Sequence, residues 1–351
     1  MYGRQPKKLL IMNILDILRR YSDEDHLLSQ REIGELLRNR YGMTADRKAI
    51  KRNLMDLVEF GLDIEYTEIA RTTPDPRTGE LTENTILTGF YLVREFTDGE
   101  LRLLVDGLLF SRHLPHSQCK ELVEKLERLS SVYFRSRVGH IAPMPEDRTD
   151  NRQLFLNIEL LDEAICRNRK ISFHYLEYRT DKRQHLRTRS DGSVREYVVS
   201  PYQMAAREGK YYLICNHDSH DNAANYRLDR ICDLEVLDEA ARPFSSLTGT
   251  DGRPLDLAEY MRRHIYMYAS GDCRVRLRIA PFLVSDVIDL FGMDISFSDE
   301  DDSGVTVTVF ANEMSVEQFA KSYLPHVTVL EPEALRNRVK GMLERTLEGY
   351  Q

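Results

Sequence analysis

Between Arg47 and Asn53 the chain sets Arg47 and Lys51 one helical turn apart, sets Lys48 and Arg52 likewise, and places Asn53 beside them. On a helix these side chains make a cationic face. Such a face lies in a major groove, where Arg and Lys reach phosphates or guanine and Asn pairs with adenine. The plain alternative is a solvated helix surface, since Lys and Arg are also good helix formers. A second stretch with chemistry is "GKYYLIC", Gly209–Cys215, two adjacent tyrosines in an apolar run. Neighbours on a strand point to opposite faces, so one phenol looks into a core or cavity and the other away, and the sequence leaves open which. In "NYRLDRI", read as one strand, Arg227 and Asp229 share a face while Tyr226, Leu228 and Arg230 share the other. A buried Arg needs an acceptor, and the bland reading pairs Arg227 with Asp229 or Asp233 at the surface.

The cationic face needs a scaffold, and the sequence supplies one. "KKLLIMNILDILRRY" carries Leu10, Ile11, Ile14, Leu15 and Leu18 on one helical stripe. In the next segment Ser29 and Glu32 form a capping box, with Ile33, Leu36 and Leu37 facing inward. Gly42 ends that helix, and Thr44 is expected to cap a third helix that buries Ile50, Leu54, Leu57 and Val58, with Asp46 in its first turn. "LDIEYTEIA" and "ENTILTGFYLV" then alternate as strands around the loop "RTTPDPRTGE". Helix, helix, basic helix, hairpin is the order of a winged helix-turn-helix, with Arg71 and Arg77 at the wing tip. Ser29, Gln30 and Arg31 at the start of the second helix and Thr44 before the third complete the candidate DNA contacts.

Two helices follow, "FTDGELRLLVDGLLFSRHL" and "PHSQCKELVEKLERLSSVYF", then a Pro-containing linker and the helix "QLFLNIELLDEAICRNR". Helices beside a reading head commonly pair across a dimer, which matches a palindromic site; an intramolecular spacer is the other reading. From Lys170 the apolar period becomes two, with about five short strands and candidate turns at "SDGS" and "REGK", a density that predicts a small closed barrel. This part of the chain resembles the WYL-domain transcriptional regulators, a DeoR-like winged helix-turn-helix followed by an Sm-like or SH3-like barrel. The resemblance rests on Tyr211-Tyr212-Leu213 after Gly209-Lys210, on "ISFHY", on "VVSPYQM" and on "YRLDRI", and it runs over residues ~7–240. Tyr211 stands where the family's name-giving triplet has Trp; the chain contains none. The resemblance implies that the "YRLDRI" segment supplies arginines to an effector pocket. It also implies a C-terminal extension, and "CRVRLRIA" through "HVTVLE" reads strand, helix, strand, strand, helix, strand before a final helix, the ferredoxin-like order.

Residues 179–195 hold six Lys/Arg against Asp181 and Asp191, a local +4 on an otherwise acidic body. Tyrosine faces stack bases and guanidinium forks take phosphate, so the expected effector is anionic, a nucleotide or a short single strand. The candidate effector residues are Tyr175, Tyr202, Arg207, Tyr211, Tyr212, Arg227 and Arg230.

Charge distribution agrees with this division. The net charge is −8, yet residues 1–62 are +3 and the remainder about −11. Five scattered cysteines indicate reduced thiols of a cytoplasmic protein rather than a disulfide framework or zinc knuckle. No apolar run approaches the ~20 residues needed to span a bilayer, and the first twenty residues lack the features of an export signal. "NHDSHD" (217–218, 220–221) and the acidic run from Asp299 gather metal-type ligands, but both read as polar turns. No phosphate loop, nucleophile elbow or dinucleotide fingerprint is present, so neither an enzyme nor a cofactor is expected.

The expected protein is α+β. It has a winged helix-turn-helix over 1–95, a helical linker or dimerisation region over 96–169, a WYL effector barrel over 170–240, a linker over 241–272 and a ferredoxin-like extension over 273–351. Its function is read as a cytoplasmic, homodimeric regulator that binds double-stranded operator DNA under control of the anionic effector. The alternative is an RNA or single-stranded DNA sensor that does not act at a promoter.

Overall fold

The computed structural model describes residues 6–74, 81–111, 114–134 and 153–351. The chain divides into two units, Met1–Arg148 and Thr149–Gln351.

The first unit begins with α1 (Leu10–Tyr21), α2 (Gln30–Tyr41) and α3 (Arg47–Glu59). Ile14, Leu15, Ile17 and Leu18 of α1 meet Ile33 and Leu37 of α2 and Ile50, Leu54 and Leu57 of α3 in one core. The Ser29–Glu32 capping box forms in both directions, and Gly42 ends α2 in the left-handed conformation at φ 62°, where a Cβ is disfavoured. The cap of α3 is Asp46, not Thr44: the helix starts at Arg47, so the Asp46 carboxylate reaches the Ala49 amide at 2.7 Å.

Strands β1 (Ile64–Pro74) and β2 (Leu81–Leu92) pair antiparallel; β1 runs into the expected loop as far as Pro74, and β2 starts at Leu81, just ahead of the expected strand. Ile64, Leu87, Phe90 and Leu92 anchor the ribbon in the helical core, whereas Ile69 and Ile86, opposite one another further out, are exposed. Helices α4 (Asp98–Phe110) and α5 (His116–Glu127) follow; Thr97 and Glu100 cap α4 with a second capping box.

In the second unit, α6 (Leu154–Cys166) precedes β3 (Arg169–Tyr178), β4 (Gln184–Leu186), β5 (Glu196–Arg207), β6 (Lys210–Asn216), β7 (Ala224–Arg227) and β8 (Ile231–Ala240). The strand order is β4-β3-β5-β6-β7, with β8 on β3. The expected closed barrel is not formed among the described residues: no ladder joins β7 to β8, because Leu228–Arg230 turns as a 3-10 helix between them. The helix α6, expected in the linker, belongs with these strands, and the buried Asn157 amide donates to the Ile231 carbonyl at 2.9 Å. Turn chemistry sets the β5–β6 register. Glu208 and Gly209 both have positive φ, 49° and 69°, the two-residue turn whose twist suits a hairpin.

The segment 241–272 is structured and contains α7 (Leu257–Arg263). Beyond it, β9 (Asp272–Ile279), α8 (Val284–Phe291), β10 (Ser296–Asp301), β11 (Gly304–Asn312), α9 (Glu313–Ser322) and β12 (Val327–Glu331) precede the final helix α10 (Glu333–Gly349). Their sheet has the order β10-β11-β9-β12, every pair antiparallel. Val275, Leu277 and Ile279 point into a core with Val287, Phe319 and Leu335. Gly304 is required at the start of β11, since a Cβ there would sit 2.5 Å from the Ile279 carbonyl oxygen. Among the described residues no helix is long and apolar enough to cross a membrane.

Candidate functional site

The helix α3 buries one face and presents the other. Arg47, Lys48, Lys51 and Arg52 are exposed, and among the described residues none has an ion pair or a hydrogen-bonded side chain. Asn53 differs, because its side-chain amide donates to the Ala49 carbonyl one turn back at 2.7 Å, so a contact with adenine requires releasing that bond. The other candidate DNA residues hold the scaffold. Ser29 caps α2, Gln30 donates to the Leu87 carbonyl at 3.0 Å and ties the helix to the hairpin, and Arg31 pairs with Glu35 at 2.9 Å. Thr44 is exposed just ahead of α3, Arg71 is exposed on β1 opposite Asn84, and Arg77 lies outside the described residues.

The seven candidate effector residues do not line one pocket. Tyr212 and Arg227 are directly opposed across β6 and β7, so their side chains share a face. On that face Tyr212 and Tyr202 pack against the cluster that includes Tyr260 and Met267, and the Tyr202 ring also meets Phe244 edge-on. Arg207 supports the same packing by donating to the Met261 carbonyl at 3.2 Å. Tyr211 falls on the opposite face of β6, where the Asp162 carboxylate of α6 lies nearby. The question of the adjacent tyrosines is thereby answered: Tyr212 turns to the 244–267 segment and Tyr211 to the side of α6.

Arg227 does not wait for an anion. Its Nε and Nη2 donate to both oxygens of Asp229 at 3.0 and 2.7 Å, and that carboxylate is buried. Burial disfavours the charged guanidinium, but the paired Asp229 more than compensates and holds its pKa above the ordinary value. The strand-parity argument fails past Arg227, because the strand ends there and the 3-10 turn carries Asp229 back to the guanidinium. Tyr175 reaches the same corner, its hydroxyl accepting from the Arg227 amide at 3.1 Å. Burial pushes its phenol up, and the amide bond offsets only part of that. Arg230 sits over the exposed Tyr178 ring at 5.9 Å.

Sequence reasoning missed the aromatic cluster behind this corner. Phe173, Tyr175, Tyr197 and Tyr226 pack ring on ring, with centroids 5.1 to 6.4 Å apart. Phe173 and Tyr197 are 1% exposed and Tyr175 6%, so these rings are core and offer a ligand little more than their edges. The cations of the 179–195 segment close over them: Arg187 stands 5.4 Å from the Tyr175 centroid and Arg195 4.7 Å from that of Tyr197. Arg187 also pairs with Glu177 at 2.9 Å. The alternation Phe173/Tyr175 and Tyr197/Val199 was the available signal. The "NHDSHD" turn is held by ion pairs, Asp218 to Lys170 at 2.6 Å and Asp221 to Arg242 at 3.0 Å.

Comparison with known proteins places two domains on this frame. Residues 157–236 match the WYL domain and residues 271–347 the WCX domain, so the chain carries both. Among solved structures it is similar to "Proteasome accessory factor B/C (PafBC) of Arthrobacter aurescens", at 16% identity and TM-score 0.28. That alignment covers 100% of this chain and 50% of the other, so the chain spans about half the length of that relative. It is also similar to a CRISPR Cas-related protein at 13% identity and TM-score 0.36, over 100% of this chain and 88% of that one. No curated protein matches.

Proposed function

We propose that this WYL- and WCX-domain chain is a DNA-binding transcription regulator and not an enzyme. In this reading the first unit is a winged helix-turn-helix, α3 enters the major groove of a duplex operator, and the β1–β2 ribbon is the wing along the backbone. The carrying observation is the set of four exposed cations on α3 without partners among the described residues. Lys and Arg side chains with no internal acceptor are available to neutralise phosphates and release counterions. The exposed apolar residues Leu103, Leu104 and Phe110 of α4, at 74, 45 and 79%, support a homodimer matching a palindromic site. The WYL strands sense an anionic nucleotide or short nucleic acid through Arg187, Arg195 and Arg230. The C-terminal sheet is read as a ferredoxin-like module, and the protein acts in the cytoplasm.

The test is a titration of the full chain with the duplex upstream of its own gene and with a scrambled duplex, between about 50 and about 200 mM salt. A specific complex whose affinity falls steeply with salt is expected. Equal affinity for both duplexes sinks the regulator reading. If single strands bound tightly and duplex did not, the sensor reading would replace it, and the arginines over Tyr175 and Tyr197 would carry that reading.

A further inference from the structure

A cavity of about 450 Å³ opens where the β6–β7 connection, the 244–272 segment and Phe310 of β11 come together. It is separate from the arginine-flanked corner at Arg227, and its volume lies within the range that small-molecule sites occupy. Its apolar walls are Phe244, Leu255, Tyr260 and the half-exposed ring of Phe310. We propose that this cavity binds a small molecule with a planar apolar ring and a protonated amine, a ligand of opposite charge to the effector expected at the WYL arginines.

The argument rests on the balance of acceptors and donors. Five charged side chains line the cavity, and Asp256, Glu259 and Asp272 outnumber Arg253 and Arg263. Neither arginine is spare. Arg263 donates to Glu259 and, at 3.3 Å, to Asp272, while its guanidinium carbon lies 4.6 Å from the centre of the Phe310 ring. Arg253 turns to Asp251 at 3.2 Å. An anion entering here would find its cations already engaged and a carboxylate in excess.

A further titratable group adds another acceptor. His264 stacks on Tyr260 at 3.8 Å, and its Nδ1 lies 3.0 Å from the Tyr260 carbonyl. A carbonyl only accepts, so Nδ1 carries the proton and a neutral ring leaves Nε2 as a lone pair. Burial pushes this imidazole below its ordinary value, which Asp272 offsets in part, so the neutral form is favoured near pH 7. Nε2 then faces Asp272 Oδ1 across 3.6 Å, acceptor to acceptor. The cavity thus holds one carboxylate more than it has guanidiniums, with the His264 lone pair and aromatic walls beside them, the complement of an ammonium group on a flat apolar body. Tyr260 also joins the cavity to the WYL strands, its hydroxyl donating to Asn225 of β7 at 3.0 Å, two residues from Arg227.

Tryptamine and indole-3-acetate, which carry the same ring with opposite charges, test this by calorimetric titration of the full chain. Tryptamine is expected to bind at least about tenfold more tightly than indole-3-acetate. Both Phe310→Ala, at an exposed ring, and Glu259→Gln should weaken tryptamine about fivefold or more, the second confirming that charge is read. A short oligonucleotide titrated into the same variants should bind as to the parent chain, which separates this site from the WYL arginines. Equal or tighter binding of indole-3-acetate, no tryptamine binding, or an unchanged tryptamine affinity in Phe310→Ala with its thermal midpoint preserved would each overturn the proposal.

Discussion

The two cation-rich regions of this chain treat their charges in opposite ways. On α3, Arg47, Lys48, Lys51 and Arg52 project into solvent with no acceptor among the described residues. In the WYL domain two arginines are already in use, since Arg227 grips Asp229 and Arg187 pairs with Glu177 and lies over Tyr175, while the exposed Arg195 lies over Tyr197 with no ion pair among the described residues. The energetics differ accordingly. Exposed unpaired cations contribute little to folding and keep their whole electrostatic capacity for a polyanion. Paired, half-buried arginines stabilise the domain, and an anion must compete with the carboxylates and rings that hold them. A positive count in a sequence is therefore not a measure of binding surface. What matters is whether each cation has an acceptor of its own.

The largest expected effect would break this comparison on the α3 side. Lys51→Glu with Arg52→Glu should weaken operator binding by about a hundredfold or more and lower the salt slope by about two. Its thermal midpoint should stay near that of the parent, because neither side chain has a partner to lose among the described residues. Electrophoretic mobility shifts across salt read the first effect and calorimetry the second. Unchanged operator occupancy would remove the basis for reading α3 as the recognition helix.

On the other side the expected loss is in folding. Asp229→Asn leaves the half-buried Arg227 guanidinium without its charge partner, so the second unit should lose about 2–3 kcal/mol of stability in denaturant titration. If instead stability held and affinity for an anionic oligonucleotide rose, Arg227 would be a binding residue restrained by Asp229. Tyr175→Phe is a smaller perturbation of the same corner. It removes the acceptor of one buried amide bond and should cost about 1 kcal/mol, without moving DNA binding by the first unit.

These contrasts were only partly legible in the sequence, and the division follows the range of the interactions. The Ser29–Glu32 box, the left-handed Gly42 and the Glu208–Gly209 turn are set by residues within a few positions of one another, and each could be read directly. Thr44 was a misreading of one short stretch, where two capping residues compete and the helix start decides for Asp46. The Arg227–Asp229 pair was only the bland alternative to an effector role for Arg227, and its burial was not foreseen, because alternation assumed a strand through a residue where a 3-10 turn begins. The aromatic core stayed hidden since Tyr197 and Tyr226 lie in different strands and gain significance only by stacking on Phe173 and Tyr175. Equally out of reach was the cavity, which joins residues 222–223, a segment read as a linker, and Phe310.

The smallest predicted effect carries the comparison to a third group of charges, at Glu317 in the WCX domain. Its carboxylate receives Arg338 Nε at 2.7 Å and Lys321 Nζ at 3.0 Å, and its side chain is 12% exposed. Burial works against its charged form, yet the hydrogen bonds from Arg338 and Lys321 outweigh it and hold the carboxyl below the ordinary glutamate value. A depressed folded-state pKa stabilises the fold wherever the carboxylate is ionised in both states. That contribution is complete above the unfolded value, near pH 4.5, and fades as pH falls through the lower folded value. Glu317→Gln should therefore cost at most about 1 kcal/mol near neutrality, because both cations are partly solvated. The difference from the parent chain should shrink toward zero in acid. A parallel series between about pH 7 and about pH 3 reads this directly. If the difference stayed constant over that range, Glu317 would be acting through packing and not through charge, and the rule that separates α3 from the WYL arginines would not extend to this domain.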